Sequence, residues 1–281
     1  MTVLVFGGSS QIGHYLLPLL AARGESVVAV SRAARSPSPG IAWLPGQLPS
    51  QVPALAGVSA VFSFGPLQPF ADWLRDVELP HAPRVIATSS MSAETKRDSE
   101  VPAERAISQQ LRDGENALAS ACAQHGSDWT VLRPTLVYGA GLDKSLTPIA
   151  RRAMRTRVFP LPAGRGMRQP VHAQDLALAA LAALDTSTAA SKILSIGGGE
   201  RLSAGEMFAR VRRSLPVDTL PIPIPAWCLR LARRGVGRLR GPLSRLEADL
   251  IADNAEVMQL LGVNPRPFRP DVECWQPHPL G

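Results

Sequence analysis

The chain is poor in tyrosine, lysine and cysteine, and it has no long apolar run. Its 281 residues include two tyrosines and three cysteines, and three of its 30 basic residues are lysines. The cysteines, Cys122, Cys228 and Cys274, lie far apart, which excludes zinc-type spacing and a disulfide framework and predicts a reducing, cytoplasmic location with no bound metal. No run approaches the roughly 18 apolar residues of a membrane span. The first predicted strand begins at Thr2, so we expect no signal peptide.

The net charge of +7 comes almost entirely from arginine. Acidic residues are interleaved along the chain, and neither a basic tail nor an aromatic-basic motif is present, so nucleic-acid binding is not expected. The composition predicts a basic surface with arginine pockets for an anionic small-molecule substrate. A basic amphipathic stretch at 227–239 could lie on an anionic membrane or cap a substrate lobe, and its glycines favour the lobe. The oligomeric state stays open.

The strongest motif is a glycine-rich turn within the first thirteen residues. Residues 2–6 are a short apolar run typical of a buried strand, and apolar residues at helical spacing follow from Gln11. Gly7 and Gly13 take the outer places of a G-x-x-G-x-x-G pattern, and Ser10 takes the middle one. In this context the backbone can approach a pyrophosphate at the helix N-terminus. We therefore expect a dinucleotide cofactor; the alternative is an ordinary strand-to-helix turn.

The end of the second predicted strand, at 26–30, indicates which dinucleotide binds. An acidic residue at this place suits the ribose 2′-hydroxyl of NAD, whereas arginine suits the 2′-phosphate of NADP. Here Ser31 and Arg32 follow the strand, Arg35 is close by, and no acid is present. Arginine can form a forked, charge-assisted pair with a phosphate. The sequence therefore predicts NADP in preference to NAD, unless Arg32 is simply a solvated surface residue.

Predicted strands and helices alternate with a period of about 25–30 residues, which is typical of a doubly wound parallel sheet. Further strands are predicted within 41–44, 58–64, 84–88 and 129–132, and a long helix at 106–124. The polar stretch 94–104 is predicted to be an exposed loop. We expect an α/β fold with a Rossmann-type core, residues 1–138 plus 168–196, and a small discontinuous C-terminal substrate lobe from 139–167 plus 197–270.

Six stretches follow one another in an informative order. They are GGSSQIG at 7–13, ATSSMS at 87–92, LRPTLVYG at 132–139, RQPVHAQDLALA at 168–179, ILSIGGGERLSAGE at 193–206 and ADNAEVMQLLGVNPRPF at 252–268. Together they resemble the extended, here atypical, short-chain dehydrogenase/reductases of the NAD-dependent epimerase/dehydratase type. That group contains nucleotide-sugar epimerases and dehydratases.

The resemblance implies a set of cofactor-binding residues. The pyrophosphate would lie against the first turn, and the adenine against Gln47 and Leu48, where the family often has Asp-Leu. The segment 64–66 would line the cofactor after the middle strand, and 134–137 would lie near the nicotinamide end. With the two residues after the second strand, the full set is Gly7, Ser9, Ser10, Gln11, Ile12, Gly13, Ser31, Arg32, Gln47, Leu48, Phe64, Gly65, Pro66, Ser89, Pro134 and Val137.

The catalytic set departs from the family's pattern. The family uses a serine after the central strand and a Tyr-x-x-x-Lys pair, in which the tyrosine transfers a proton and the lysine lowers its pKa. Ser90 matches the serine, with Ser89 and Ser92 as weaker candidates. If Glu115 matches the family's glutamate four residues after the lysine, the two places hold Ile107 and Leu111.

No nearby shift of the alignment restores that pair. The chain has no tyrosine between Tyr15 and Tyr138, and no lysine between Lys96 and Lys144. Aliphatic side chains cannot transfer protons. We therefore predict weak or absent dehydrogenase and epimerase activity, with Ser90 as the one matched catalytic candidate; its alternative role is to satisfy backbone groups at a strand end.

A second ligand site is implied by Arg168, which lies four residues before His172, where related epimerases bind the substrate diphosphate. Arg245 is a second candidate for this substrate site. We expect an anionic ligand between the lobe and the carboxyl edge of the sheet. Alternatively, Arg168 pairs with an acid such as Asp175 and only braces the loop. We interpret His172 and Asp175 as loop-fixing and helix-capping groups rather than catalytic ones.

Three hypotheses for function remain. The first is an enzyme that acts on a nucleotide-sugar-like anionic substrate with a non-standard proton donor. The second is a non-catalytic NADP-binding sensor or assembly protein. The third is an interaction protein that has kept the fold and lost the cofactor. The intact glycine turn argues against the third hypothesis, and the lost tyrosine and lysine argue against ordinary chemistry of the first type.

Overall fold

The computed structural model describes residues 1–53, 57–164, 166–225 and 248–276. Its centre is a seven-stranded sheet of β1 (Thr2–Phe6), β2 (Ser26–Ser31), β3 (Ile41–Pro45), β4 (Val58–Ser63), β5 (Arg84–Thr88), β6 (Trp129–Pro134) and β11 (Lys192–Ile196). The strand order is β11-β6-β5-β4-β1-β2-β3, and the pairings are parallel. The order reverses between β1 and β4, which is where such sheets bind ligands. The predicted doubly wound α/β fold is confirmed.

Helices cover both faces of this sheet. Alternate residues of β1 serve the two faces: Val3 and Val5 belong to one buried apolar cluster, and Leu4 and Phe6 to the other. The first cluster includes α1 (Gln11–Ala22), α6 (Ala173–Asp185) and α8 (Ala255–Leu261). The second includes α2 (Leu67–Asp76) and α4 (Pro102–His125). Because both faces are buried, the strands are continuously apolar, as parallel sheets require.

A third apolar cluster lies beyond the carboxyl edge of the sheet, around Tyr138, Phe159, Phe268 and Trp275. It packs α5 (Thr147–Thr156) and α7 (Ala204–Arg213) against short strand pairs. These pairs are β7 (Val137–Tyr138) with β10 (Val171–His172), β8 (Val158–Pro162) with β13 (Leu220–Ile224), and β9 (Met167–Arg168) with β12 (Leu202–Ser203). The described residues also include 3₁₀ turns at Ser187–Ala189 and Glu273–Trp275.

The prediction of an exposed loop over 94–104 is wrong at both ends. A single helical turn, α3 (Ser92–Thr95), occupies its start, and α4 begins at Pro102 rather than at 106. Proline suits the first turn of a helix because it needs no N–H donor there. Ser99 accepts a hydrogen bond from the N–H of Val101 and donates one to the carboxylate of Glu104, which fixes the start of α4. Among the described helices, none is both long enough and apolar enough to cross a bilayer.

Candidate functional site

The turn between β1 and α1 has the shape that a pyrophosphate requires. Gly7 has a φ of 77°, and a Cβ on Gly13 would lie 2.4 Å from the carbonyl oxygen of Gly8. Ser10 is the N-cap of α1, and its Oγ accepts a hydrogen bond from the N–H of Gly13 at 3.1 Å. The first turn of α1 carries no acidic side chain. The helix N-terminus can therefore face an anion without competition from a carboxylate.

Two polar atoms near this turn support the fit of a dinucleotide. Within the described residues, Gln11 Oε1 and Ser89 Oγ are buried and have no hydrogen-bond partner. Buried polar atoms are normally paired, so an unpaired one calls for an explanation. Gln11 opens α1, and Ser89 follows β5 at the same edge of the sheet. The hydroxyl and amide groups of a bound dinucleotide could pair with both atoms.

The residues predicted for the adenosine end lie beside the ends of β2 and β3. Ser31 is buried, and its Oγ accepts a hydrogen bond from the N–H of Ala33 at 3.3 Å, whereas Arg32 is exposed. Gln47 is exposed and exchanges two backbone hydrogen bonds with Gln51, of 2.7 and 2.8 Å. Leu48 packs against the second apolar cluster. These groups surround the edge of the sheet but do not enter the cavity described below.

Among the other predicted cofactor residues, some have side chains packed in the core, and others lie at the turn or the cavity. Phe64 packs against the turn, because a Cβ added to Gly7 would lie 3.1 Å from the Cβ of Phe64. Gly65 and Pro66 connect Phe64 to α2. Ile12 is buried in the first apolar cluster, so its backbone alone can face a ligand. Ser9 is half-buried within the turn, and Pro134 is buried at the end of β6. Val137 lies on the wall of the cavity.

A cavity of about 1150 Å³ opens at the carboxyl edge of the sheet. It brings together Gln11, Ser90, Val137 and Arg168, which come from four separate parts of the sequence. The remaining wall consists of Ser92, Glu94, Thr95, Lys96, Asp98, Ser99, Glu100, Val101, Glu104, Thr135, Leu136, Asp143, Lys144, Ser145, Ala248, Asp249 and Leu250. Ser90 Oγ accepts a hydrogen bond from the N–H of Ser92 at 3.2 Å, which leaves its own proton available for donation.

Arg168 is the buried cation of this wall. It is 5% exposed, and its Nη1 donates to the carbonyl oxygens of Met167 and Ala248, at 2.8 and 2.6 Å. No carboxylate of the described residues lies within ion-pair distance of it, and burial lowers the pKa of its guanidinium despite the charge of Asp249 nearby. The alternative pairing with Asp175 is absent, since Asp175 binds Arg266. Arg245 and the stretch 227–239, with Cys228, lie outside the described residues.

A second arginine, Arg133 of β6, binds Glu94 of the cavity lining, and its charge is neutralised. Arg133 Nε and Nη2 donate to the two carboxylate oxygens of Glu115 at 2.7 and 2.5 Å, and Nη1 donates to Glu94 at 2.7 Å. Glu115 is 2% exposed. The hydrogen bonds that the Arg133 guanidinium donates to Glu115 raise its pKa. This network ties α4 to β6 and to the turn that follows Ser90.

The residues predicted to take the places of the usual catalytic pair lie on α4. Ile107 is 37% exposed, and Leu111 is half-buried. Between them, Ser108 is buried and donates to the carbonyl oxygen of Ala93 at 2.5 Å. The two tyrosines lie elsewhere: the rings of Tyr15 and Tyr138 have centroids 5.3 and 5.0 Å from that of His172. Burial raises the pKa of both phenols.

His172 and Asp175 hold local structure. His172 is the N-cap of α6, and its Nδ1 accepts a hydrogen bond from the N–H of Gln174 at 3.1 Å. Burial, followed by the charge of Arg266, lowers the pKa of His172 to about 4. Asp175 accepts hydrogen bonds from the backbone and the side chain of Arg266, both at 2.9 Å, and so fixes the C-terminal segment. This placement agrees with the interpretation of both residues as loop-fixing groups.

Sequence reasoning missed much of the cavity wall. Asp143 is buried and accepts hydrogen bonds from the N–H groups of Ser145, Leu146 and Thr147, which fixes the start of α5. The sequence carries a signal for that helix start, because Asp143 precedes Thr147 by four residues and Pro148 by five. The 248–250 segment gave no signal, because its contact with Arg168 spans 80 residues of sequence.

The comparisons with known proteins agree with the geometry. Residues 87–197 match the model of the NAD dependent epimerase/dehydratase family. A UDP-glucose 4-epimerase from Vibrio cholerae is 26% identical over 159 residues, which are 54% of this chain and 47% of that protein. The match therefore spans about half the length of this relative. The resemblance to the epimerase/dehydratase type, expected from the motifs, is confirmed.

Solved structures share the fold at low sequence identity. MoeE5 in complex with UDP-glucuronic acid and NAD has a TM-score of 0.72 and 20% identity, and the alignment covers 95% of this chain and 94% of that one. UDP-glucuronic acid 4-epimerase from Bacillus cereus, in complex with UDP-glucuronic acid and NAD, has a TM-score of 0.67 and 14% identity, with 95% of each chain covered. At these identities the likeness shows the fold alone.

Proposed function

We propose that this epimerase/dehydratase-like chain, which matches the family over 87–197, binds a nicotinamide dinucleotide at its glycine turn and an anionic, nucleotide-sugar-like ligand against Arg168. The observation that carries the proposal is the cavity itself. Its lining includes Gln11 of the glycine turn, Ser90 and Arg168. One ligand that fills the cavity could therefore contact all three residues.

The dinucleotide site is supported by the turn and by the unpaired polar atoms beside it. Gly7, Ser10 and Gly13 would hold the pyrophosphate, and Ser89 Oγ would gain the partner that it lacks among the described residues. When bound, such a cofactor supplies or accepts a hydride. The finer part of the proposal is a preference for NADP. It rests on Ser31 and Arg32 at the end of β2, where no acid is present to bind a ribose 2′-hydroxyl.

The substrate site is supported by the electrostatics of Arg168. A buried guanidinium without a carboxylate partner is costly, and an incoming phosphate or carboxylate would relieve that cost. Its planar fork suits bidentate binding of such groups. A nucleoside diphosphate carries these groups at one end and leaves its sugar directed toward Ser90. UDP-glucuronic acid, bound to MoeE5 in a solved structure of the same fold, has this chemistry.

Proton transfer would fall to Ser90. Its Oγ already accepts one hydrogen bond, from the N–H of Ser92, so its hydrogen can be directed at a substrate oxygen. No lysine or tyrosine stands where the family's pair would, because Ile107 and Leu111 occupy those places. A positioned acid–base group contributes about 10²–10⁴-fold to a rate. We therefore expect turnover slower by that order than in enzymes that carry the pair.

The aliphatic residues on α4 also favour a second candidate function, a non-catalytic NADP-binding sensor or assembly protein. Ile107 is exposed where a proton donor would be needed, and Ser108 is committed to Ala93. In this case the cofactor site would be retained for binding alone.

Binding and turnover, measured separately, distinguish the two candidates. The purified chain is titrated with NADPH and NADH by calorimetry and then assayed with UDP-glucose and UDP-glucuronic acid, with the sugar products separated by chromatography. Slow turnover that Ser90→Ala abolishes supports the enzyme. Dinucleotide binding without turnover supports the sensor.

A matched control is Ser99→Ala. Ser99 also lies on the cavity wall, but its hydroxyl is bound to Glu104. Fast turnover that survives Ser90→Ala would show that the chemistry has been assigned to the wrong residue. Failure to bind either dinucleotide would overturn the proposal as a whole.

A further inference from the structure

A second cavity, of about 530 Å³, opens on the lobe between α7 and the segment 267–270. Its size lies within the range of small-molecule sites. Arg210 and Arg213 line it from the last turn of α7, and Arg269 lines it from the facing segment. None of its lining residues belongs to the cavity that contains Arg168. The two cavities are therefore separate candidate sites.

Arg210 braces the walls of this second cavity. Its Nη1 donates to Glu200 at 2.5 Å and to the carbonyl oxygen of Phe268 at 2.9 Å, and its Nε donates to Glu206 at 3.0 Å. Glu200 is the single carboxylate in the described lining, and Arg210 neutralises it. Arg210 thus joins α7 to the facing segment, and its donors are committed within the fold.

Arg213 and Arg269 supply an excess of positive charge. Among the described residues, Arg213 uses only Nη2, which donates to Glu206 at 2.8 Å, and its side chain is 62% exposed. The side chain of Arg269 makes no hydrogen bond or ion pair in the described part of the chain. Its backbone is nevertheless restrained, because Phe268 before it is fully buried and Pro270 after it restricts its conformation. Two guanidinium groups from separate elements therefore line one cavity with donors unused.

The end of α7 opposes an anion less than most helix ends do. The carbonyl groups of a helix C-terminus carry about half a negative elementary charge. The last turn of α7 carries three arginines, Arg210, Arg212 and Arg213, which outweigh that charge. The lining as a whole holds three arginines and one carboxylate among the described residues, so its net charge is positive.

We propose that this cavity binds the phosphate group of a small organic phosphate between Arg213 and Arg269. A phosphate monoester presents three acceptor oxygens and nearly two charges, so it can accept hydrogen bonds from two guanidinium groups on different elements. A carboxylate is matched by a single guanidinium fork. Pro267 and Pro270 provide apolar surface for the organic part. The site goes beyond the proposed function and depends on neither the dinucleotide nor the Arg168 ligand.

The experiment compares the wild type with Arg213→Gln, Arg269→Gln and the double variant. The matched control is Arg152→Gln/Arg155→Gln, because both arginines are exposed on α5 and line neither cavity. The probes are glycerol 3-phosphate and glycerate, which carries a carboxylate in place of the phosphate. Hydrogen exchange of peptides from 204–214 and 265–276 is followed against probe concentration at constant ionic strength, so each affinity is measured at this cavity. Thermal melting confirms that each variant is folded.

We expect glycerol 3-phosphate to protect both peptides in the wild type. The double variant should weaken this affinity by about 10–100-fold, the range of a charge-assisted hydrogen bond. Each single variant should weaken it by about 3–10-fold, and the α5 control by less than about threefold, as for exposed charges. Glycerate should bind at least about 10-fold more weakly, because it engages one guanidinium fewer.

Several results would overturn the inference. Protection confined to the surroundings of Arg168 or of the glycine turn would show that the phosphate binds elsewhere. Equal losses in the double variant and in the α5 control would mean that the basic surface attracts anions without a specific site. Glycerate that binds as tightly as glycerol 3-phosphate would refute the assignment to phosphate. Failure to bind NADPH or UDP-glucose would instead refute the proposed function alone.

Discussion

Two arginines, Arg133 and Arg168, differ in whether the fold neutralises their charge. On the α4 side, Arg133 is held by two carboxylates, Glu115 and Glu94, and its pKa is raised. Arg168 lies in the lining of the cavity and donates to backbone carbonyl oxygens, and burial lowers the pKa of its guanidinium. The charge of Arg133 is neutralised within the fold, whereas Arg168 has no carboxylate within ion-pair distance among the described residues.

The difference separates structural polar groups from those available to a ligand. An ion pair that is complete within the protein is part of the folded structure. Removal of one partner leaves the other charge buried and unpaired, which is strongly destabilising. A buried charge without a counter-ion costs folding free energy, which a ligand can recover on binding. The same contrast recurs among the neutral groups, where Ser10 Oγ caps α1 and Ser89 Oγ is unpaired within the described residues. Each prediction below tests whether a group belongs to the first kind or the second.

The largest expected effect is the loss of folding stability when Arg133 is substituted. Arg133→Gln should lower the free energy of unfolding by about 3–5 kcal/mol, because it leaves the carboxylate of Glu115 buried and unpaired. Urea denaturation measures this loss. The control is Arg112→Gln, because Arg112 lies on the same helix face as Glu115 but binds neutral groups. Its Nη1 and Nη2 donate to Ala93, Ser108 and Gln109. A loss below about 1 kcal/mol, the range of an exposed ion pair, would mean that the network is not structural.

A pH dependence of about 3 kcal/mol is expected from His172, another group whose polar atom is satisfied inside the fold. Burial lowers its pKa from 6.5 to about 4, so the folded chain keeps it neutral while the unfolded chain takes up a proton below pH 6.5. Stability should therefore be intact above this pH and should fall as the pH decreases from about 6.5 toward 4.

The comparison variant is His172→Asn, since asparagine can still cap α6 but does not titrate. Unfolding free energies of both proteins are measured between pH 7 and 5, above the range in which most carboxylates titrate. The variant should lose less stability across this interval. Parallel curves would show that another group causes the acid sensitivity.

Substitution of Arg168 should change ligand affinity rather than folding stability. Arg168→Gln should weaken the affinity for UDP-glucose by about 1.5–3 kcal/mol, the range of a hydrogen bond to a charged group. Its free energy of unfolding should change little or increase, because the variant removes a buried charge that has no counter-ion among the described residues. Calorimetry with UDP-glucose, and with NADPH as the control ligand, measures both parts. Strong destabilisation with unchanged UDP-glucose affinity would place Arg168 with Arg133 among the structural groups.

These contrasts mark the limit of what the sequence could predict. Local signals were sufficient for β5, predicted and observed at 84–88, because an apolar, β-branched run defines a buried strand. They also located the glycine turn. The start of α4 was missed because its signals are a proline and a serine within a polar stretch, where helical periodicity is weak.

The local sequence also could not predict which charged side chains of the cavity are paired within the fold. Whether Arg168 meets a carboxylate depends on the segment that packs on it, and that contact joins residues 168 and 248. The position of Arg35, whose Cζ lies over the ring of Trp43 at 5.1 Å from the centroid, likewise depends on β3 pairing beside β2. Spacing identifies which residue types are near a site, but tertiary packing decides which of them are already paired.

The smallest expected effects come from two serines that differ in this one respect. Ser10→Ala removes the N-cap of α1 and should lower the free energy of unfolding by about 1 kcal/mol. Ser89→Ala removes a buried hydroxyl without a partner among the described residues, so stability should stay the same or increase by up to about 1 kcal/mol. The affinity for NADPH should nevertheless fall by about 0.5–1.5 kcal/mol in Ser89→Ala, since the hydroxyl would gain its hydrogen bond in the complex. Urea denaturation and calorimetric titration of the two variants supply both comparisons. If Ser89→Ala were as destabilising as Ser10→Ala and bound NADPH normally, its hydroxyl would have a partner within the fold, and the contrast between paired and available groups would fail at the carboxyl edge of the sheet.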